Sequence, residues 1–148
     1  MSETKSKTLV SANERNKIRR ILLTWLNTFQ NLPARIDYED LPGDSIGMML
    51  STIQAAYKVQ QYIDGGYVAQ YQFKIVYRSQ PDDNNSRLAA DELLNELGEW
   101  AETRSNWPEI EGVLIRKIQM DSDSALYAAY DDGSRDHQIL MSLNYEVI

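Results

Sequence analysis

Apolar residues recur at helical spacing in two stretches of the chain and at alternating spacing through most of the rest. Ile18, Ile21, Leu22, Trp25, Leu26 and Phe29 fall on one stripe of a 3.6-residue period, which predicts an amphipathic helix over roughly 12–31. Ser11-Ala-Asn-Glu14 before it is a capping-box pattern, in which Ser11 and Glu14 satisfy each other's end amides. Pro33 ends the helix by denying the helical region to its predecessor. Ala90, Leu93, Leu94, Leu97, Trp100 and Ala101 make a second stripe, predicting a helix over roughly 86–104 that Asn85 or Ser86 caps and Pro108 terminates. Residues 1–10 have no period and are rich in Ser, Thr and Lys, so they read as a flexible N-terminal arm ahead of a single domain over 11–148.

The remaining patterns are those of strands. Residues 45–53 alternate Ile46, Met48 and Leu50 against Gly47, Met49 and Ser51, and 57–63 form a second extended segment. Asp64-Gly65-Gly66 then allows the positive φ angles of a tight hairpin. The clearest strand follows at 67–78, with Tyr67, Ala69, Tyr71, Phe73, Ile75 and Tyr77 on one side and Gln70, Gln72, Lys74 and Arg78 on the other. At about twice the common strand length, it is long enough to project beyond the core as a hairpin arm. Segments at roughly 112–120 and 124–130 are joined through Asp121 and Asp123, and a turn at Asp131-Asp132-Gly133 leads to a last strand with His137, Ile139, Met141, Leu143, Tyr145 and Val147 on one face. The order α-β-β-β-α-β-β-β predicts an α+β fold, a mostly antiparallel sheet with two helices packed on one face.

Charge is distributed unevenly in a chain of 148 residues with a net charge of -7. Residues 1–20 hold six basic side chains against Glu3 and Glu14, whereas 82–111 hold nine acids against Arg87 and Arg104. A basic face and an acidic face on one molecule suit head-to-tail contact between identical subunits. The chemistry of a catalyst is not legible. There is no cysteine, which removes thiolate metal sites and cysteine nucleophiles. His137 is the single histidine and lies on an apolar strand face, where a packed or rim residue is expected rather than a general base. Asp121-Ser122-Asp123 and Asp82-Asp83-Asn84-Asn85 lack the glycine and distal glutamate of a calcium loop, and read as turns. No Gly-rich phosphate cradle and no serine elbow is present. No enzymatic function, cofactor or metal is therefore expected. The aromatic and basic positions of 67–78 have opposite parity, so they form no joint stacking platform, and the acidic balance also opposes nucleic-acid binding. No apolar run approaches the ~20 residues of a membrane span, so no membrane association is expected.

Several local phrases occur in a telling order. A short amphipathic helix with Trp25 near its end leads into an extended segment; a Tyr-x-Asp-Gly-Gly hairpin at 62–66 feeds the strand Phe73-Lys74-Ile75-Val76-Tyr77-Arg78; an Asn-rich turn opens the Leu/Trp helix at 93–100. Over residues 15–147 this resembles the tail terminator, or minor capsid, proteins of long-tailed (siphovirus-type) bacteriophages. The resemblance implies an α+β subunit of a hexameric ring that caps the tail tube and contributes to head–tail joining. Its partners would be further copies of itself, the tail tube protein and a head-completion protein, in the virion and, during assembly, the host cytoplasm. It implies no catalytic residue. In such a ring Arg15, Arg19 and Arg20 would meet acids of a neighbour among Asp91, Glu92, Glu96 and Glu99. The turn Asp64-Gly65-Gly66 and the link Asp82-Asp83 would be contacts to tube or head, and an acidic lumen would repel passing DNA. The alternative from a different class is a small non-catalytic α+β module that binds another protein or a small ligand.

Overall fold

The computed structural model describes residues 8–41, 46–81 and 83–148. Its elements are β1 (Thr8–Leu9), α1 (Ala12–Leu26), β2 (Ile36–Tyr38), β3 (Gly47–Gln61), β4 (Tyr67–Ser79), α2 (Asn84–Glu102), a 3-10 turn (Arg104–Asn106), β5 (Val113–Met120), β6 (Ala125–Ala129) and β7 (Arg135–Val147). The strands form one sheet in the order β1-β3-β4-β7-β5, with β2 added to β3 and β6 added to β7. Every pairing except β2 with β3 is antiparallel. This is the α+β class that the sequence pattern predicts.

Side-chain parity decides which face of the sheet is covered. Tyr71, Phe73 and Ile75 of β4 stand beside Leu143, Met141 and Ile139 of β7, and all six are almost fully buried. Ile18, Leu22, Trp25 and Leu26 of α1 and Leu94, Leu97 and Ala101 of α2 join them in a single core. Both helices thus cover the odd-numbered face of β4 and β7. At ~1.5–3 kcal/mol for each large apolar side chain removed from water, this face supplies most of the favourable free energy of folding. The helices meet where Trp25 and Trp100 stack at 5.0 Å, with Phe29 tilted against Trp100 at 5.4 Å. Both neighbouring indole N–H groups are satisfied: Trp25 donates to the Asn106 carbonyl at 2.7 Å and Trp107 to the Ala101 carbonyl at 2.8 Å.

Several boundaries differ from the periodicity reading. The first helix stops at Leu26, short of the expected 31, because the Asn27 side chain intervenes. Its amide donates to the Leu23 and Ile36 carbonyls and its oxygen accepts from Ile36 N–H, so the chain leaves the helix and enters β2, a strand too short to announce itself by alternation. The capping box is half formed. Ser11 accepts from Glu14 N–H at 3.4 Å, while Glu14 Oε2 has no partner among the described residues.

The segments expected at 45–53 and 57–63 are one strand, β3. Its register with β4 shifts between Thr52 and Gln54, between Gln54 and Tyr57, and between Lys58 and Gln60. Each shift breaks the alternation that would have revealed continuity, which is how a bulge behaves. The proposed start at Ser45 lies outside the described residues.

β4 does not project as an arm: it pairs with β7 at every residue from Tyr67 to Ser79, and with β3 on its other side. The second helix begins two residues earlier than expected and is capped by Asp83, not by Asn85 or Ser86. Of the arm expected over 1–10, Thr8 and Leu9 pair with Lys58 and Tyr57, and Val10 is buried; residues 1–7 lie outside the described residues.

Candidate functional site

The basic residues singled out from the sequence are on α1. Arg20 is exposed, and Arg15 and Arg19 are half-buried. None of the three forms an ion pair among the described residues. Arg19 and Arg20 line a groove of about 310 Å³ together with Asn16, Leu23 and, from β2, Tyr38. A chain of hydroxyl groups runs beside it: Tyr38 to Thr52 at 3.1 Å, then Thr52 to Tyr71 at 2.7 Å. Burial pushes the Tyr71 hydroxyl above its ordinary pKa, against lowering contributions from Thr52 and from the Arg19 guanidinium beside it. Tyr71 therefore stays a neutral hydroxyl bonded to Thr52.

The acids assigned to α2 divide into two groups. Glu92, Glu96 and Glu99 are exposed, lie at i, i+4 and i+7 on one helix face, and have no ion pair among the described residues. Asp91 is different and is withdrawn from the surface set. Its Oδ1 accepts from His137 Nδ1 at 2.7 Å and from Ser124 Oγ at 2.7 Å. An ionised carboxylate only accepts, so the histidine proton on this side sits on Nδ1. His137 is buried, as the strand parity predicts, and its Nε2 has no partner among the described residues. Asn95 adds a bond from Ser124 N–H at 3.0 Å. This cluster ties α2 to β7 and to the turn before β6. Helical spacing placed Asp91 beside the acidic stripe; only the packing of α2 turns it inward.

The two proposed contact loops are likewise partly structural. Gly65 has φ +96°, and the Asp64 carboxylate accepts from Gly66 N–H at 3.1 Å, so this turn is the tight one expected. Gly66, however, is buried, and a Cβ there would stand 2.8 Å from the Val147 carbonyl oxygen. It is a close-approach glycine rather than a contact residue. The exposed part of the tip is Ile63, fully open to solvent, with Asp64 and Gly65. Asp82 lies outside the described residues. Asp83 caps α2 by accepting from Ser86 N–H at 2.9 Å, which holds its carboxyl below the usual range.

The sheet face away from the helices carries features that the parity argument did not reveal. Lys74 and Arg78 do face away from Tyr71 and Phe73, as expected, but each meets an aromatic ring from the segment around β6. Lys74 Nζ lies 4.7 Å from the Tyr127 ring centroid, and the Arg78 guanidinium 4.9 Å from that of Tyr130. Arg78 also grips the buried Asp136 carboxylate in two bonds of 2.7 and 2.9 Å, to which Tyr130 donates at 2.8 Å. The bonds to Asp136 raise the Arg78 pKa above its ordinary value, so its charge is permanent. The signal for this cluster is the cross-strand register of β4 with β7, which periodicity in a single segment cannot supply.

Among the described residues no group of three or more His, Asp or Glu side chains is arranged to hold a metal ion, and no helix is long and apolar enough to cross a membrane. The chain matches no model of a known protein family and no curated protein.

Proposed function

We propose that this chain is a structural subunit of a long-tailed phage particle, a ring-forming tail terminator that caps the tail tube and contributes to head–tail joining. The observation that carries this reading is the separation of unsatisfied charge between the two helices. Arg15, Arg19 and Arg20 on α1, and Glu92, Glu96 and Glu99 on α2, find no ion pair among the described residues. Two different, complementary surfaces on one subunit make a heterologous contact, which repeats head to tail and closes into a ring when the rotation permits. The α+β fold with both helices on one side of the sheet agrees with the family that the sequence resembles. Its partners on this reading are copies of itself, the tail tube protein and a head-completion protein, and its place is the virion. The hairpin tip at Ile63, Asp64 and Gly65 offers an apolar side chain for tube or head contact.

Light scattering on concentrated protein, together with electron microscopy in the presence of the tail tube protein, tests the reading. Rings are expected, and they weaken as salt rises, because exposed pairs are screened over ~8 Å at physiological ionic strength. A strict monomer beside tube protein, or turnover of a substrate, rejects the reading; rings indifferent to salt reject the charge pairing.

A further inference from the structure

We infer that the groove between α1 and β2 is a carboxylate socket that receives Glu96, flanked by Glu92 and Glu99, from α2 of a second copy. This rests on the ring reading and adds to it a definite acceptor and a definite donor.

The groove has the chemistry of an oxyanion site. Arg19 and Arg20 supply two guanidinium groups, Asn16 an amide and Tyr38 a hydroxyl. Consecutive helical residues point about 100° apart, so Arg19 and Arg20 flank the groove rather than fill one position. Tyr38, on the wall of the groove, is bonded through Thr52 to Tyr71. That wall is therefore ordered before anything enters, and less conformational entropy is lost there on binding. A planar guanidinium with free donors pairs with a carboxylate in two parallel bonds. Leu23 provides an apolar flank for the methylene groups of an incoming side chain. The groove, about 310 Å³, is large enough to admit one long side chain.

Two acids beside Tyr38 already have partners. Asp37 pairs with Arg35 at 3.5 Å, and Glu39 accepts from Ser51 Oγ at 2.7 Å and from Thr52 N–H at 3.0 Å. For an anion from a second copy, α2 presents three exposed acids in a row on one helix. Neighbouring members of that row stand ~5–6 Å apart at Cβ, as do Arg15 and Arg19 on α1, so one ladder can face the other. Asp91, committed to His137 and Ser124, takes no part.

Charge exchange between two full-length variants tests this. One carries Arg19→Glu and Arg20→Glu; the other carries Glu92→Lys, Glu96→Lys and Glu99→Lys. Alone, each juxtaposes like charges at every contact and should associate at least tenfold more weakly than the parent chain. Mixed in equal amounts they should restore assembly, with the two variants alternating and only even-numbered rings in native mass spectrometry. Circular dichroism establishes that each variant is folded. If Arg19→Glu unfolds the chain, Arg20→Glu alone, at an exposed position, serves as the acceptor variant. Association of either variant at parental strength overturns the socket and leaves the ring reading intact, as does a mixture that stays dissociated. A parent chain that never associates, with or without tube protein, overturns both.

Discussion

Replacing Gly98 by alanine sets helix propensity against packing, and the structure says which prevails. In a helix interior glycine costs about 1 kcal/mol relative to alanine, so propensity alone predicts a gain of that size. Gly98, however, is buried where α2 crosses the sheet. A Cβ at this position would stand 2.3 Å from Met120 Sδ, 2.7 Å from Met120 Cγ and 3.4 Å from Ile139 Cδ1. Carbon contacts are comfortable at ~3.5–4.0 Å, so the thioether must move by more than 1 Å. The Met120 backbone is held, so the side chain alone must yield. Its N–H is bonded to Glu102 at 2.8 Å, and its Cα is paired with Met141. A flexible, half-buried thioether places the cost near ~2 kcal/mol, within the ~1–3 kcal/mol range for overpacking. The net expectation is a loss of about 1 kcal/mol, or about 2–4 °C in Tm for a chain of this size. In a Met120→Ala background the obstruction is gone, and the same substitution should stabilise by about 1 kcal/mol. Urea unfolding of the four proteins of this cycle gives a coupling of about 2 kcal/mol if the reasoning holds. Stabilisation by Gly98→Ala in the parent chain, or effects that simply add, would refute it.

Two further expectations follow from the site. Asp91→Ala strands the buried His137 Nδ1–H and the Ser124 hydroxyl, and should cost about 1–3 kcal/mol in chemical denaturation while leaving the charge-exchange result unchanged. Equal stability would mean that Asp91 is a surface acid after all. The second expectation concerns Asp83, whose pKa is lowered by its bonds to Ser86 at the head of α2. A depressed folded-state pKa contributes stability that is present above the unfolded value of ~4 and disappears as pH falls through the lower folded value. Thermal melts between pH 7 and pH 2 should therefore show a smaller acid loss for Asp83→Asn, a neutral residue that also caps, than for the parent chain; identical profiles count against the cap.

What was legible in the sequence is what local periodicity encodes. The stripe of α1, the stripe of α2 and the alternation of β4 and β7 each arise from one element having a wet side and a dry side, and a single segment displays that by itself. The tight turn at Gly65 belongs with them, because its φ of +96° is a local demand that glycine meets. Tertiary structure decided the rest, because it depends on pairs of residues distant in the chain. Asn27 ends a helix whose apolar period continues to Phe29, since its amide has a better use on the β2 backbone. Bulges join two apparent strands into β3 by changing parity midway. Asp91 leaves the acidic stripe for His137, 46 residues away. Composition placed positive and negative charge on different helices; only the packing of α1 against β2 gathers Arg19, Arg20 and Tyr38 around one groove, because that neighbourhood exists nowhere along the chain until the sheet has formed.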